Sequence, residues 1–304
     1  MRIRIIPQKQ IDKAKWDQCI LASPNGLIYA ESIYLDHVCA DWFGIVKDDY
    51  EAVMPLCWRE KFGIRYLFQP AFCQQGGIFS RINDIQLIEP AFFSEVKKFS
   101  RFAEINLNYG HAAGSIFPVV RSANNFLRDL SVNAYNPYID QRLKRLHKFN
   151  LRIAHADDIR SIVRDFKQLY GSRFPAVTEN NYENFTQLSL KLKENDRVIM
   201  KEVRDEANTL LSSCLLLKDN RRIYNLISNL FPAGRTKLAN YFMYEQLFSE
   251  YAGSGLLFDF EGSDLEGVKY FYKKFSTANQ PFPIVKINDL PGPLKWLKNQ
   301  IRTS

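Results

Sequence analysis

Phe258-Asp259-Phe260-Glu261-Gly262-Ser263 is the stretch of this sequence whose residue types best suit chemistry. Read as a strand over 256–261, alternation sends Leu257, Asp259 and Glu261 to one face and Leu256, Phe258 and Phe260 to the other. Two carboxylates on one face can raise the pKa of one of them. A carboxylate so tuned can take a proton from an attacking amine, as acyl transfer to nitrogen requires. A strand-end carboxylate also has an architectural use, accepting hydrogen bonds from backbone amides or arginine. Ser263, Asp264, Leu265 and Glu266 spell a capping box that satisfies free amides of a first helical turn, and Gly262 permits the sharp turn before it. The helix expected over 264–275 buries Leu265, Val268, Tyr272 and Phe275, which leaves Lys269 and Lys273 to meet an anionic donor.

A second polar cluster lies earlier in the chain. Gln69, Gln74 and Gln75 flank Pro70 among the aromatics Tyr66, Phe68 and Phe72, a mixture suited to recognising amide or hydroxyl groups of an acceptor, or to a packed turn over a sheet. The four histidines, His37, His111, His147 and His155, have no metal-ligand spacing, so no metal is expected. The five cysteines lack such spacing too and read as reduced, buried thiols, with Cys73 beside Gln74 the one to check for reactivity.

The elements that must position these groups follow one order twice. The first half reads as a strand over 2–6, a helix over 11–20, strands over 42–46, 50–59 and 64–69, a helix over 91–99 and a strand over 102–107. A basic helix over 137–150 carries Arg142, Lys144, Arg145 and Lys148. The second half opens with a helix through Ile159, Ile162, Val163, Phe166 and Tyr170 that stops at Gly171. Strands over 197–203, 209–217 and 222–228 follow, then a helix over 236–251, the acidic strand, its helix, and a last strand over 283–288. The expectation is α/β, two tandem domains over 1–135 and 136–304, each a mixed, mostly antiparallel sheet flanked by helices. At 304 residues with a net charge of +8, the chain is long enough for two cores, and its charge suits a polyanionic partner or an anionic membrane face. Met1 to Pro7 reads as a charged strand rather than a signal peptide, and no apolar run approaches the roughly 18 residues of a membrane span, so a cytoplasmic location is expected.

Tyr66-Leu67-Phe68-Gln69-Pro70, Gln74 to Ser80, the acidic strand with Gly267 to Phe275, and the closing Ile287-Asn288-Asp289-Leu290-Pro291 resemble the FemAB-like branch of the GNAT superfamily. The resemblance implies two GNAT-like domains and an N-acyltransferase that uses acyl-coenzyme A as co-substrate. The alternatives it leaves are an aminoacyl transferase of the peptidoglycan-bridge type and a non-catalytic binding protein on the same fold. Where members using aminoacyl-transfer RNA have F-K-x-x-F, this chain has Phe271-Tyr272-Lys273-Lys274-Phe275, and no long helical arm for the nucleic acid is evident. Tyr272 would act there as a general acid, as tyrosines near this place do in many GNAT enzymes, or serve as a core ring. The donor loop, Q/R-x-x-G-x-G/A in ordinary members, survives in part at Pro232 to Lys237. There Gly234, Arg235, Thr236 and Lys237 would cradle a pyrophosphate at a helix start.

Overall fold

A computed structural model of the chain describes residues 2–81, 85–111, 115–131, 137–265, 267–290 and 292, with the backbone only at 137–140. It divides into two compact units, Met1–Ala123 with Pro281–Ser304, and Asn124–Gln280.

The first unit runs β1 (Ile3–Pro7), α1 (Lys13–Ala22), α2 (Ser32–Val38), β2 (Trp42–Lys47), β3 (Ala52–Lys61), β4 (Ile64–Phe68), β5 (Phe79–Ser80), α3 (Glu89–Phe99), β6 (Phe102–Asn106) and β7 (Val119–Ala123). Its sheet is ordered β1-β2-β3-β4-β6, with β5 beside β3, and continues through a strand over Phe282–Asn288 to β7. Met54, Leu56, Leu67, Phe92 and Val96 meet in its core because alternate strand residues and one stripe of α3 point inward.

The second unit runs β8 (Phe126–Asp129), α4 (Pro137–Lys144), β9 (Arg152–His155), α5 (Ile159–Tyr170), α6 (Glu179–Lys193), β10 (Val198–Arg204), β11 (Leu210–Lys218), β12 (Arg222–Leu230), α7 (Pro232–Thr236), α8 (Ala239–Glu250), β13 (Leu257–Asp259), α9 (Val268–Phe275) and β14 (Ala278–Asn279). The sheet order is β14-β8-β13-β12-β11-β10-β9. β11 is buried almost throughout, as a central strand must be, and its Cys214 and Leu216 pack on Met243 and Tyr244 of α8. Asp158 caps α5 by accepting the Arg160 amide at 2.9 Å.

The boundaries differ from the expected 1–135 and 136–304. β8 already belongs to the second sheet, while β15 (Phe282–Asn288) returns to the first, antiparallel to both β6 and β7. Phe282, Val285 and Ile287 are buried there. An apolar strand finds its partners by shape, and sequence order does not announce them. The basic helix is also shorter than expected, ending at Lys144, with Leu146 buried in the turn after it. Among the described residues no helix is long and apolar enough to cross a membrane.

One irregularity of the second sheet lies where β12 and β13 part. The β11–β12 register moves from Leu215↔Ile227 to Leu217↔Tyr224, so β12 carries one extra residue, a bulge, at Asn225–Leu226. Parallel pairing with β13 covers only Arg222 to Tyr224 and stops at the same level. β12 continues to Leu230 without a strand beside that edge among the described residues. Its Leu230 amide is received there by the hydroxyl of Tyr170, at 3.2 Å.

Candidate functional site

The expected alternation of carboxylates does not extend to Glu261. β13 ends at Asp259, and Glu261 and Gly262 both take positive φ, 55° and 48°. Asp259 causes the turn locally: its Oδ1 accepts the Glu261 amide two residues on, at 3.1 Å. Its Oδ2 accepts from Arg222 Nη1 and Asn125 Nδ2, both at 3.0 Å. Burial pushes the Asp259 carboxyl up, and Arg222 and these hydrogen bonds oppose the push. Glu261 is nine-tenths buried, and its Oε1 has no hydrogen-bond partner among the described residues. Burial alone pushes its carboxyl well above the usual range. A non-glycine residue held in the left-handed region with an unpaired buried acid is the kind of strain that collects at functional sites.

Tyr272 packs against the preceding residue, its ring 5.0 Å from that of Phe260. Burial pushes its hydroxyl up to about 12, and the negative charge of Glu261 acts in the same direction. Asn225, at the bulge of β12, donates from Nδ2 to Tyr272 Oη and to Tyr244 Oη, both at 3.1 Å, and more weakly to the Phe260 carbonyl at 3.4 Å. Tyr244 reaches the half-buried Ser228 at 3.5 Å. The bulge of β12, the exit of β13, α8 and α9 thus bring a buried acid, two tyrosine hydroxyls and an asparagine amide together. The sequence reading found Glu261 and Tyr272 but not Asn225, Tyr244 or Ser228. The available signal was the interruption of an apolar strand by Asn225 and Ser228.

The crystal structure of FemX matches the chain with a TM-score of 0.64 at 12% identity, covering 98% of this chain and 99% of FemX. The tandem GNAT protein from the clavulanic acid biosynthesis pathway matches at 0.53 and 7% identity, covering 96% and 100%. The chain has the tandem GNAT fold. The C-terminal domain of a putative lysylphosphatidylglycerol synthetase from Agrobacterium fabrum shares it at 0.57 and 9% identity, covering 95% of each chain. No protein-family model matches the chain, and no curated protein matches it in sequence.

Within this tandem GNAT fold, the loop expected to hold a donor is folded differently from a free cradle. Residues 232–236 form the short α7, and Leu238, at φ 57°, separates it from α8, where one helix from 236 was expected. A Cβ on Gly234 would fall inside the carbonyl of Leu211, so this glycine is required by packing. Lys237 is ion-paired with Asp205 at 2.6 Å, while Arg235 and Thr236 are exposed. On α9, Lys273 is exposed and Lys269 half-buried. The expected helix from Asp264 and its capping box are also corrected. α9 begins at Val268, Leu265 is 40% exposed, and the Ser263 hydroxyl accepts the Phe126 amide at 2.9 Å; Glu266 lies outside the described residues.

Tyr66, Gln69, Gln74 and Gln75 all belong to the first unit. Gln69 bridges the Cys73 carbonyl and the Asn106 amide, at 2.5 and 3.0 Å. Gln75 is fully buried, accepting from the Tyr109 amide at 3.0 Å and donating to Gln74 Oε1 at 2.8 Å. These glutamines hold residues 69–77 against β6, where Gly76 pairs with Leu107. The equivalent parting of β4 from β6 is therefore filled by the chain itself. Tyr66 stays half-buried on β4. All five cysteines are buried and free, and burial drives the Cys73 thiol far above its ordinary value, away from the nucleophilic form. His111 has a carboxylate partner that its spacing did not reveal. Its Nδ1 meets Glu89, and its Nε2 accepts the Ile78 amide at 3.0 Å, so both ring nitrogens are engaged. Among the described residues no three His, Cys, Asp or Glu side chains are grouped to hold a metal.

Proposed function

We propose that the second unit is an N-acyltransferase site that moves an acyl group from acyl-coenzyme A to an amine. The observation that carries this reading is the buried, unpartnered Oε1 of Glu261, whose charge reaches the hydroxyl of Tyr272, at the place where β12 and β13 part. The amine nitrogen attacks the thioester carbon, and Glu261 takes a proton from that nitrogen. As the carbon–sulfur bond breaks, the un-ionised Tyr272 hydroxyl supplies a proton to the departing sulfur, and Glu261 returns its proton to Tyr272. No covalent enzyme intermediate is needed. The edge of β12 from Leu226 to Asn229, before the amide that Tyr170 takes, offers backbone groups to an extended, amide-bearing donor, much as an added strand would use them. Asp259, locked by Arg222 and Asn125, holds the turn rather than the proton. Arg235, Thr236, Lys237 and Lys273 would meet the donor's phosphates. The glutamines of the first unit keep a structural role.

Thermal shift against acetyl-coenzyme A, longer acyl-coenzyme A species and free coenzyme A tests this reading. A donor at a hundredfold excess over its dissociation constant should stabilise the protein by about 3 kcal/mol. The shift should vanish in an Arg235→Ala, Lys237→Ala variant. A second reading has its own support. Lys237 is engaged by Asp205 and Gly234 by packing, which suits a donor without a pyrophosphate at that loop, such as an aminoacyl ester. Absence of any shift with the coenzyme A series, together with a shift given by an aminoacyl ester, selects that alternative.

A further inference from the structure

Three of the five cysteines gather in the first unit, around the ends of β2 and β3. Cys39 closes α2, and its Sγ lies 3.4 Å from the Asp41 carbonyl oxygen. Cys57 stands on β3 opposite Trp42, the first residue of β2, and its thiol shares a hydrogen bond with that of Cys39. Cys57 and Cys73 both line a cavity of about 30 Å³, together with Gln69, Gln75 and Asn106. Cys39 and Cys57 are 5% and 8% exposed, each one or two residues from an exposed stretch at Ala40–Asp41 or Arg59–Glu60, whereas Cys19 and Cys214 are fully enclosed.

The two bonded thiols are not equivalent. The hydrogen bond from Cys57, joined by the Trp58 amide and the charge of Arg59, holds the Cys39 thiol below its ordinary value against the effect of burial. The same bond and burial push the Cys57 thiol well above. Cys73 stays a thiol, because burial raises it and its Sγ donates to the Gln75 carbonyl at 3.7 Å. A thiolate beside a second thiol has the parts needed to turn a hydroperoxide into a disulfide. We propose that Cys39 and Cys57 form a redox-active pair, in which Cys39 attacks a hydroperoxide and Cys57 resolves the product to a disulfide within the chain. Cys39 Sγ attacks the hydroxyl oxygen of the peroxide. A sulfur–oxygen bond forms, the oxygen–oxygen bond breaks, and the departing oxygen takes a proton from water. Cys57 Sγ then attacks Cys39 Sγ. The sulfur–sulfur bond forms, the sulfur–oxygen bond breaks, and hydroxide leaves with the Cys57 proton as water. The two sulfurs together give up two electrons, and the peroxide takes both. The cavity beside Cys57 gives its side chain room to turn toward Cys39 without displacing the core. Every group involved belongs to the first unit, so this chemistry does not depend on the acyl-transfer reading.

The test treats the full native chain with a few equivalents of hydrogen peroxide and maps its cysteines by mass spectrometry after alkylation in denaturant. One disulfide per chain should form, joining Cys39 to Cys57, with Cys19, Cys73 and Cys214 recovered as alkylated thiols. Before oxidation, iodoacetamide should modify Cys39 in the native protein about tenfold faster or more than any other cysteine. In Cys57→Ser the same treatment should leave a sulfenic acid at Cys39 that dimedone traps, whereas Cys39→Ser should give neither disulfide nor adduct. A wild-type chain that keeps five thiols, a disulfide joining Cys57 to Cys73, or bonds only between chains overturns the proposal, whether or not either variant folds. First alkylation at any cysteine other than Cys39 overturns it as well.

Discussion

Arg222 Nη1 lies 3.0 Å from Asp259 Oδ2, with both side chains almost fully buried, so the first paired residue of β12 is joined to the last paired residue of β13. Arg222 spends a second nitrogen on Gln280 Oε1, at 2.8 Å. Asp259 spends its other oxygen on the Glu261 amide. The pair therefore ties the two strands diagonally across their paired stretch and fixes the turn that carries Glu261.

Breaking that clamp from one side should be expensive. Asp259→Asn or Arg222→Met should each lower stability by about 3–5 kcal/mol in urea unfolding, because each leaves a buried group uncompensated. The double variant Arg222→Met, Asp259→Leu should lose far less than the sum of the single changes. Additive losses would mean that the pair does not act as a unit.

Glu261 sets a pH dependence of opposite sign to the usual carboxylate. Its folded pKa is raised by burial, so between the ordinary value of about 4.3 and the raised one the folded state holds more protons than the unfolded. Stability contributed by the protonated acid is complete below the lower value and is lost as pH rises through the folded one. The urea midpoint of Glu261→Gln should therefore gain on wild type as pH rises from about 4 into the neutral range. Parallel profiles would place the carboxyl in water.

Much of the order of strands and helices was legible because a mostly apolar run marks Leu210–Lys218 and a period-3.6 pattern marks Ile159–Tyr170. Sheet membership was not. Phe282–Asn288 looks like any apolar strand, and only its fit between β6 and β7 assigns it to the first unit. α6 was missed although Tyr182, Phe185, Leu188 and Leu192 recur at helical spacing, because the polar run Glu179 to Asn184 reads as a loop. At the site, Glu261 and Tyr272 stood out by residue type and by family resemblance. Asn225 did not, since its position depends on one extra residue in β12, a register feature visible only once the partner strand is known.

Gly234 separates packing from ligand binding. Gly234→Ala places a methyl group against the Leu211 carbonyl, a backbone atom that cannot swing aside. The substitution should cost about 1–3 kcal/mol, the usual range for overpacking. That loss should appear in urea unfolding without any ligand. A fully stable Gly234→Ala protein would show that α7 moves easily, and would return this glycine to the role of a flexible phosphate loop.

Glu89 should show the opposite pH behaviour to Glu261 in the same experiment. Burial alone would raise its carboxyl, but hydrogen bonds from His111 and the Ile116 amide outweigh that and hold it below the usual carboxylate range. A depressed folded pKa contributes stability that is complete above the unfolded value, about 4.3, and disappears as pH falls through the folded one. Glu89→Gln keeps the shape and removes the titration, so its deficit against wild type should be constant near neutrality and should shrink below about pH 4. The His111 ring supplies the internal control. Its Nε2 accepts the Ile78 amide, so Nδ1 is the nitrogen that carries the proton toward Glu89 when the ring is neutral. In 15N spectra the Nδ1–H tautomer should persist in wild type. If Glu89→Gln leaves both the tautomer and the low-pH slope unchanged, the two side chains are neighbours in the first unit without being coupled.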